Sequence, residues 1–509
     1  MKHTVLFILC LAIAPALPAQ NQLTLNADLG RDTISRHIYG HFAEHLGRCI
    51  YGGFYVGENS KIPNRDGVRA DLIEALKKMK VGNLRWPGGC FADTYHWKDG
   101  IGPKKQRPSM TNIWWGGVTE DNSFGTHDFL NLCEALGAEP YLAANVGSGT
   151  VQEFSEWITY TNQKTGNPMA DLRKANGRDQ PWGVRIWGVG NEAWGCGGNM
   201  KVDYYANIYR QYATFMANGN KLFRVASGAS DADYNWTEVL MRDIPHHLME
   251  GVALHHYSVI EWNKKGPATG FSEEHYFKTM QSALLMEELV TRHSTIMDKY
   301  DPAKKIALVV DEWGGWYDVE PGTNPGFLYQ QNTMRDAMIA GVTLNIFHKH
   351  CDRVRVANLA QTVNVLQAVV LTEGEKMLLT PTYHVLEMYN VHQDALSLPI
   401  EMKAKNYTFG QETLPALSVS ASRDKAGKVH ISMVNIDPNH PQEISLSLRG
   451  LVAKGVSGRM LTSPKVQDYN SFERPDFIKP VDFKGATLNG DVLKITLPPV
   501  SVVVLELKN

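Results

Sequence analysis

The sequence predicts an α/β protein, with a (β/α)8 TIM barrel followed by a C-terminal antiparallel β-sandwich domain of jelly-roll-like type. Eight short apolar runs alternate with segments of helical length, and these runs are apolar on both faces, as buried parallel strands are. After about residue 395 the chain changes to period-two alternation of apolar and polar residues, which is typical of a sandwich.

The apolar runs that we interpret as barrel strands are separated by stretches long enough for a helix. They lie at 37–42, 81–86, 139–146, 184–189, 223–228, 251–257, 305–312 and 342–348. The segments 68–80 and 126–138 carry apolar residues at i, i+3, i+4 and i+7, which predicts amphipathic helices. We therefore expect the barrel to occupy residues 37–383.

The remaining part of the chain is predicted to form the sandwich. Residues 384–509 contain several alternating runs divided by turn residues, and helical periodicity is absent there. The segment 22–30, QLTLNADLG, is also typical of a strand. Because it precedes the barrel, we expect strands from 20–36 to join the sandwich.

The composition excludes some classes of function. The 509 residues are 43% hydrophobic and 20% charged, with a formal net charge of −2. This near-neutral balance gives no electrostatic reason to expect a nucleic acid or an anionic membrane as partner.

The N-terminus resembles a secretory signal peptide. A lysine is followed by an apolar run and then by small residues and prolines, and the run is too short to span a bilayer. We expect residues 1–19 to be removed and the mature protein to be exported, to the periplasm or the extracellular space.

The cysteines beyond this leader form no metal-binding pattern. Five remain, namely Cys49, Cys90, Cys133, Cys196 and Cys351, without a CxxC motif. We therefore expect no metal and no other cofactor. A single disulfide among Cys49, Cys90 and Cys196 stays open, although free buried thiols are the favoured interpretation.

Two glutamates lie at the ends of predicted strands, where barrel enzymes place their active sites. Glu192 follows the fourth strand in RIWGVGNEAWGCGG, and Glu312 ends the seventh. Hydrolysis of a glycosidic bond with retention requires two carboxyl groups about 5–5.5 Å apart, one as nucleophile and one as acid/base. The pair therefore predicts a glycoside hydrolase.

Further polar residues at the strand ends fit this chemistry. Arg85 and Tyr257 could stabilise an ionised nucleophile, and the amide of Asn191 could bind a sugar hydroxyl. Asp311 adjoins Glu312, but alternation along a strand predicts that its side chain points to the opposite face. We therefore expect Asp311 to have a structural role.

Several long motifs resemble glycoside hydrolase family 51, the α-L-arabinofuranosidases. They occur in the family's order and cover essentially the whole mature chain: GHFAEHLGRCIYGGFY, LRWPGGCFADTYHWKDGIGP, NSFGTHDFLNLCEALGAEPYLAANVGSGT, WGVGNEAWGCGG, LHHYS, VDEWGGWY and AQTVNVLQA. The resemblance implies an exo-acting, retaining enzyme that removes terminal arabinose from arabinoxylan, arabinan or their oligosaccharides, and a homo-oligomer, often a hexamer.

The resemblance also implies roles for individual residues. Glu192 would be the general acid/base and Glu312 the nucleophile, with Arg85 and Tyr257 as supports. The groups that would contact the furanose are Glu44, Asn191, His255, Gln361 and the aromatic wall Trp316, with Trp114 or Trp115 as another wall.

One position departs from the family pattern. Cys90 stands where many members carry Asn, and cysteine is a much weaker hydrogen-bonding group. Its expected contact with the sugar is correspondingly weak, and Asp93 is an alternative polar group three residues later.

Two alternative functions remain open on the sequence. An endo-β-1,4-glucanase or a β-xylosidase would use the same fold and the same two carboxylates on another sugar. A non-catalytic glycan-binding protein would use the tryptophan-rich surface instead, but it would not need both glutamates and their supporting residues.

Overall fold

A closed barrel of eight parallel strands forms the centre of the protein. The computed structural model describes residues 21–216 and 221–508. The strands are β1 (Gly40–Phe42), β2 (Asn83–Trp86), β3 (Glu139–Ala144), β4 (Ile186–Val189), β5 (Phe223–Ser230), β6 (Gly251–Ser258), β7 (Ala307–Gly315) and β8 (Val354–Ala360). They pair in chain order, and β8 closes the barrel on β1. The predicted barrel is confirmed.

Helices surround the barrel and follow its strands. They are α1 (Ala70–Met79), α2 (Thr126–Leu136), α3 (Val151–Asn162), α4 (Pro168–Ala175), α5 (Val202–Phe215), α6 (Tyr234–Asp243), α7 (Glu273–Tyr300), α8 (Met334–Lys349) and α9 (Pro381–Tyr389). The predicted helices at 68–80 and 126–138 correspond to α1 and α2. Gly137 ends α2 with φ +70°, a left-handed conformation that glycine adopts without steric cost.

The predicted eighth strand at 342–348 is wrong. These residues belong to α8, and the eighth strand is the later run Val354–Ala360. Every residue of α8 from Met334 to His348 is buried, so the helix lacks the polar face that would have revealed its period. Thr333 and Asp336 form a capping box at its start.

Two sheets form the β-sandwich. One consists of Ile400–Lys403, Asn21–Asn26, Gln442–Arg449, Val492–Leu497 and Ala486–Asn489; the other consists of Leu396–Leu398, Leu417–Arg423, Val429–Asn435, Ser501–Lys508, Gly455–Thr462 and Val481–Asp482. Apolar side chains of both sheets form a core of their own. The six-stranded sheet is antiparallel throughout.

The strand Asn21–Asn26 comes from the other end of the chain and joins the five-stranded sheet. It pairs in parallel with Gln442–Arg449 and antiparallel with Ile400–Lys403. This sheet is therefore mixed, because a strand that arrives from before the barrel runs in the same direction as one neighbour. The domain limits at 37–383 and 384–509 stay predictions.

Shorter two-stranded hairpins complete the described structure. They pair Asn64–Arg65 with Val68–Arg69, Met110–Thr111 with Thr119–Glu120, Val370–Glu373 with Lys376–Leu379, and Asn406–Phe409 with Glu412–Pro415. Within residues 21–216 and 221–508, no helix combines the length and the apolar character needed to cross a bilayer. The predicted leader at 1–19 lies outside the described residues.

Candidate active site

The carboxyl ends of the barrel strands bring the predicted site residues together. Glu44 follows β1, Arg85 lies in β2, Glu192 follows β4, and Glu312 lies in β7. All four side chains are largely or fully withdrawn from solvent. Burial of so many ionisable groups is costly unless they are paired or hydrogen-bonded, so their contacts define what the site can do.

Glu312 is held by one donor on each of its carboxylate oxygens. Arg85 Nη1 donates to Oε1 at 2.8 Å, and the hydroxyl of Tyr257 donates to Oε2 at 2.7 Å. One donor is cationic, and hydrogen bonds to a charged group are among the stronger ones. The predicted support of Glu312 by Arg85 and Tyr257 is thus present as direct hydrogen bonds.

Glu192 occupies a different environment from Glu312. His255 Nδ1 lies within hydrogen-bond distance of its Oε1, at 2.9 Å. Its pKa is raised because burial disfavours the charged form, and the negative charge of Glu312 adds to this effect, while the bond from His255 opposes it. The Glu192 backbone has φ +39°, an uncommon conformation for a non-glycine residue, at the turn that carries the side chain into the site.

The two carboxylates are close enough to act on one bond. An oxygen of Glu192, an oxygen of Glu312 and a ring nitrogen of His255 all lie within 4.8 Å of one another. That spacing also occurs in metal sites, but here both nitrogens of His255 are hydrogen-bonded to carboxylates and Arg85 already neutralises Glu312. The chemistry of these groups therefore fits a proton donor beside a nucleophile.

Arg85 also fixes the amide of Asn191. Its Nη2 donates to Asn191 Oδ1 at 2.6 Å, which turns the amide so that Oδ1 faces the guanidinium. The backbone NH of Asn191 donates to Asp93 Oδ2 at 3.0 Å, and Asp93 Oδ1 accepts from Val146 and Gly147. Asp93 thus accepts hydrogen bonds from the backbone of three residues, and its suggested contact with the sugar stays a prediction.

Glu44 is surrounded by donors from three loops. Its Oε1 accepts from the Gly89 and Phe91 backbone and from Trp115 Nε1 at 2.9 Å, and its Oε2 accepts from Gln361 Nε2 at 3.0 Å. Burial, together with the charge of Glu312, raises the pKa of Glu44 to about 7, although these bonds oppose the shift. Trp115 therefore contributes through its indole NH, which the sequence pattern did not reveal.

Aromatic side chains lead outward from the site. Trp316 packs edge-on against Tyr257, with 5.0 Å between ring centroids, and Trp262 packs edge-on against Trp316 at 5.4 Å. Trp262 is 49% exposed. The predicted wall at Trp316 is consequently in contact with Tyr257, one of the supports of Glu312.

Cys90 is joined to Cys196 by a disulfide, with 5.3 Å between their Cα atoms. The favoured expectation of free thiols is therefore wrong for these two, although Cys49, Cys133 and Cys351 are free and buried. The pair is 106 residues apart, and only closure of the barrel brings the loops after β2 and β4 together. Cys196 Sγ lies 3.5 Å from Glu192 Oε2, so the bridge borders the site.

Asp311 does not point away from the site, contrary to the alternation argument. Its carboxylate contacts Tyr141, His255 and Arg85 inside the barrel. The pairing of β7 shifts register against both neighbours around this residue, as a β-bulge does. The extra residue lets Asp311 and Glu312 both face inward.

Comparisons with known proteins agree with this geometry. The family model described as the α-L-arabinofuranosidase 1 domain matches residues 75–268, and the α-L-arabinofuranosidase C-terminal domain matches residues 311–501. A protein of Bacteroides ovatus, an intracellular exo-α-L-arabinofuranosidase, is 53% identical over 98% of both chains. The chain belongs to the α-L-arabinofuranosidases of glycoside hydrolase family 51.

Solved structures of family 51 match 96% of the chain. The family 51 arabinofuranosidase of Xanthomonas axonopodis pv. citri is 48% identical, covers 96% of this chain and 100% of its own, and superposes with a TM-score of 0.95. The α-L-arabinofuranosidase of Thermotoga maritima, solved with arabinose, is 32% identical with a TM-score of 0.85, over 96% of this chain and 99% of its own. The chain is thus a glycoside hydrolase, and the non-catalytic alternative is wrong.

The expected export is contradicted by one of these relatives. The Bacteroides ovatus protein, similar over nearly the full length, is named as intracellular. A lysine followed by a short apolar run is a compositional pattern, and apolar content alone does not specify export. The prediction of a periplasmic or extracellular protein is therefore withdrawn.

Proposed function

We propose that this family 51 protein is an exo-acting, retaining α-L-arabinofuranosidase. It hydrolyses terminal non-reducing α-L-arabinofuranosyl groups of arabinoxylan, arabinan or derived oligosaccharides. The observation that carries the proposal is the placement of Glu192 and Glu312 oxygens within 4.8 Å, each in an environment suited to one role. Such a separation suits a double displacement, because no room for a water is needed between the nucleophile and the sugar.

In the first step the Glu312 carboxylate attacks the anomeric carbon. The bond from that carbon to the leaving oxygen breaks, and Glu192 donates its proton to that oxygen. Arg85 and Tyr257 hold the Glu312 carboxylate in its orientation before the attack. The raised pKa of Glu192 favours its protonated form for this step.

In the second step a water molecule replaces the released aglycone. Glu192, now a carboxylate, takes a proton from that water, and the water oxygen attacks the anomeric carbon. The bond between the sugar and Glu312 breaks, which returns Glu312 to its ionised form and Glu192 to its protonated form. Arabinose leaves with its anomeric configuration retained.

The pocket groups provide recognition of the furanose. We assign substrate binding to Glu44, Asn191, His255, Gln361, Trp316 and Cys90, as the resemblance to the family implies. Support comes from the hydrogen bonds that fix the amides of Asn191 and Gln361, since immobilised side chains lose little entropy on binding. Cys90 can contact the sugar only through van der Waals contacts of its disulfide, because it has no thiol hydrogen to donate.

The glutamate roles are tested with two variants and an aryl α-L-arabinofuranoside. Glu312→Ala should abolish turnover, because no nucleophile remains. Glu192→Ala should lose most activity, and azide should restore turnover as an α-arabinosyl azide, since azide needs no general base. Substantial activity of Glu312→Ala would contradict the mechanism, and parallel assays with aryl β-xylosides and β-glucosides test the alternative sugars.

We also propose that the protein is a homo-oligomer, with a hexamer as the specific expectation. Support comes from the resemblance to family 51. Light scattering coupled to size-exclusion chromatography measures the mass directly. A single species of 57 kDa at micromolar concentration would contradict the proposal.

A further inference from the structure

Asp311 contacts His255 and Arg85, the two residues that contact Glu192 and Glu312. Its side chain is fully enclosed, with Oδ1 3.1 Å from His255 Nε2 and Oδ2 accepting a 2.6 Å hydrogen bond from the Tyr141 hydroxyl. Arg85 Nε is 3.6 Å from the same Oδ2. A buried carboxylate with this number of partners is stabilised as an anion, and its pKa is lowered by Arg85 and His255 despite the burial.

His255 connects this anion to the proton donor. Its Nε2 faces Asp311 and its Nδ1 faces Glu192 at 2.9 Å, while Glu312 Oε2 is 3.7 Å from the same Nδ1. Both ring nitrogens therefore point at carboxylate oxygens, and the doubly protonated ring donates a hydrogen bond to each of them. Although burial lowers it, the pKa of His255 is raised to about 10 by the surrounding carboxylates.

We propose that Asp311 is a positioning residue for the acid/base: it holds His255 as an imidazolium whose Nδ1–H donates to Glu192 in both steps. This inference rests on the proposed function of Glu192. It assigns a role in the reaction to a residue for which the sequence indicated only a structural one.

The protonation state of His255 matters because it decides the direction of the hydrogen bond. A neutral ring protonated at Nε2 would present a lone pair at Nδ1 and would accept the proton of Glu192, which is then withheld from the leaving oxygen. An imidazolium can only donate, so the proton of Glu192 stays available. In the second step the same N–H stabilises the ionised Glu192 that activates water.

The balance of charges around His255 is set by several elements. Asp311 and Glu312 face it from β7, Glu192 faces it from the loop after β4, and Arg85 approaches from β2. Replacement of Asp311 by a neutral residue removes one negative charge from this group. The pKa of His255 should then fall, because it loses a neighbouring anion, and donation from His255 to Glu192 is lost at a lower pH than in the wild-type enzyme.

Asp311→Asn tests the proposal through the leaving group and the pH profile. With an alkyl α-L-arabinofuranoside, whose departure needs protonation, kcat/KM should fall at least about tenfold. With a dinitrophenyl arabinofuranoside, whose departure needs little protonation, kcat/KM should change by less than about threefold. The alkaline limb of kcat/KM should move to lower pH by about one unit.

Tyr141→Phe is the matched control, because it removes the other hydrogen bond to Asp311 and keeps the charge. Its alkaline limb and its ratio between the two substrates should stay close to wild type. His255→Gln and the double variant Asp311→Asn/His255→Gln complete a cycle. If Asp311 acts through His255, the double variant loses no more activity than His255→Gln alone.

Equal loss on both substrates with an unmoved alkaline limb would overturn the proposal and leave Asp311 a purely structural residue. If Asp311→Asn does not accumulate as folded protein, nitrogen-15 NMR of histidine-labelled wild-type enzyme decides, with His255→Gln identifying the signal. An imidazolium at pH 8 supports the proposal, and a neutral ring contradicts it. The Glu312→Ala assay tests the proposed function separately, so the two failures are distinguishable.

Discussion

The hydrogen bond from the Tyr257 hydroxyl to Glu312 can be removed by one substitution, and its contribution to kcat can be estimated. Tyr257→Phe deletes the 2.7 Å hydrogen bond to Oε2 without changing the ring that packs on Trp316. A hydrogen bond to a charged group contributes about 1.5–3 kcal/mol, so kcat should fall about 10- to 150-fold. Initial rates on an aryl arabinofuranoside measure this.

The control for that variant is Tyr204→Phe, at a tyrosine that is 61% exposed and outside the site. It should keep the wild-type kcat. If Tyr257→Phe also kept the wild-type kcat, the hydroxyl would contribute nothing to the attack by Glu312.

Gly89 provides a second prediction about a single residue, because its backbone passes close to the Glu312 carboxylate and to the Asn191 amide. A Cβ at this position would lie 2.9 Å from Glu312 Oε1 and 3.2 Å from Asn191 Nδ2. Gly89→Ala should therefore displace the Glu312 carboxylate and lower kcat/KM at least about tenfold, since small misplacements at a reacting centre are costly.

The matched control is Gly455→Ala, where the nearest atom to an added Cβ is Lys508 Cδ at 3.8 Å. That variant should behave as wild type in the same assay. Unchanged kcat/KM in Gly89→Ala would show that Glu312 can be moved without cost.

The meeting of Glu192, Glu312, Arg85 and Tyr257 at one end of the barrel could be predicted, because it rests on residue type and on position at strand ends. The inward position of Asp311 could not, because it depends on a bulge that no local pattern reveals. Alternation describes a regular strand, and one inserted residue changes which face a side chain occupies.

Helix α8 shows why an apolar run can be recognised in the sequence and still be assigned to the wrong type of secondary structure. It lies between the barrel and the sandwich, so that apolar residues surround it on every side. An apolar run without a polar face has no helical period to measure, so the residues at 342–348 could not be distinguished from a buried strand. Whether these residues form a strand or a helix is decided by the barrel and the sandwich, which pack against them on either side.

Gly341 in α8 provides a prediction at the element scale. A Cβ there would lie 2.7 Å from Val434 Cγ2 and 3.3 Å from the Tyr389 hydroxyl. Helix propensity favours Ala by about 1 kcal/mol, whereas overpacking of a buried contact costs about 1–3 kcal/mol. The cost of overpacking should exceed the gain in helix propensity. Gly341→Ala should therefore lower the apparent Tm in a thermal scan.

Activity at low temperature is the internal control for this variant, because the atoms nearest to an added Cβ at Gly341 belong to Val434, Tyr389 and Val502, which are not site residues. The kcat of Gly341→Ala at 20 °C should stay near wild type. A raised Tm would mean that α8 packs against the sandwich loosely enough to accept a methyl group.

Stability of the whole molecule depends on buried histidines between the barrel and the sandwich. His348 of α8 bonds the Tyr39 hydroxyl through Nε2 at 2.7 Å and Ser420 Oγ of the sandwich through Nδ1 at 2.9 Å. Burial lowers the pKa of His348 to about 3 from 6.5. The unfolded chain therefore binds one more proton than the folded protein between these two values.

The stability from His348 is complete above pH 6.5 and is lost as the pH falls towards 3, with a slope of about 1.4 kcal/mol per pH unit. His348→Gln keeps an amide but has no titrating group. The difference between the denaturant midpoints at pH 7.5 and at pH 5.0 should therefore be smaller in this variant than in the wild-type protein. Identical pH dependence in both proteins would contradict the prediction.

The sequence by itself determined the alternation of strands and helices, the sandwich and the identity of the paired glutamates, because these depend on local period and on residue type. The tertiary structure decided the eighth strand, the joining of Cys90 to Cys196, and the inward position of Asp311. Each of these depends on which distant segments are packed together, and chain closure into a barrel fixes those neighbours without leaving a periodic signal in the sequence.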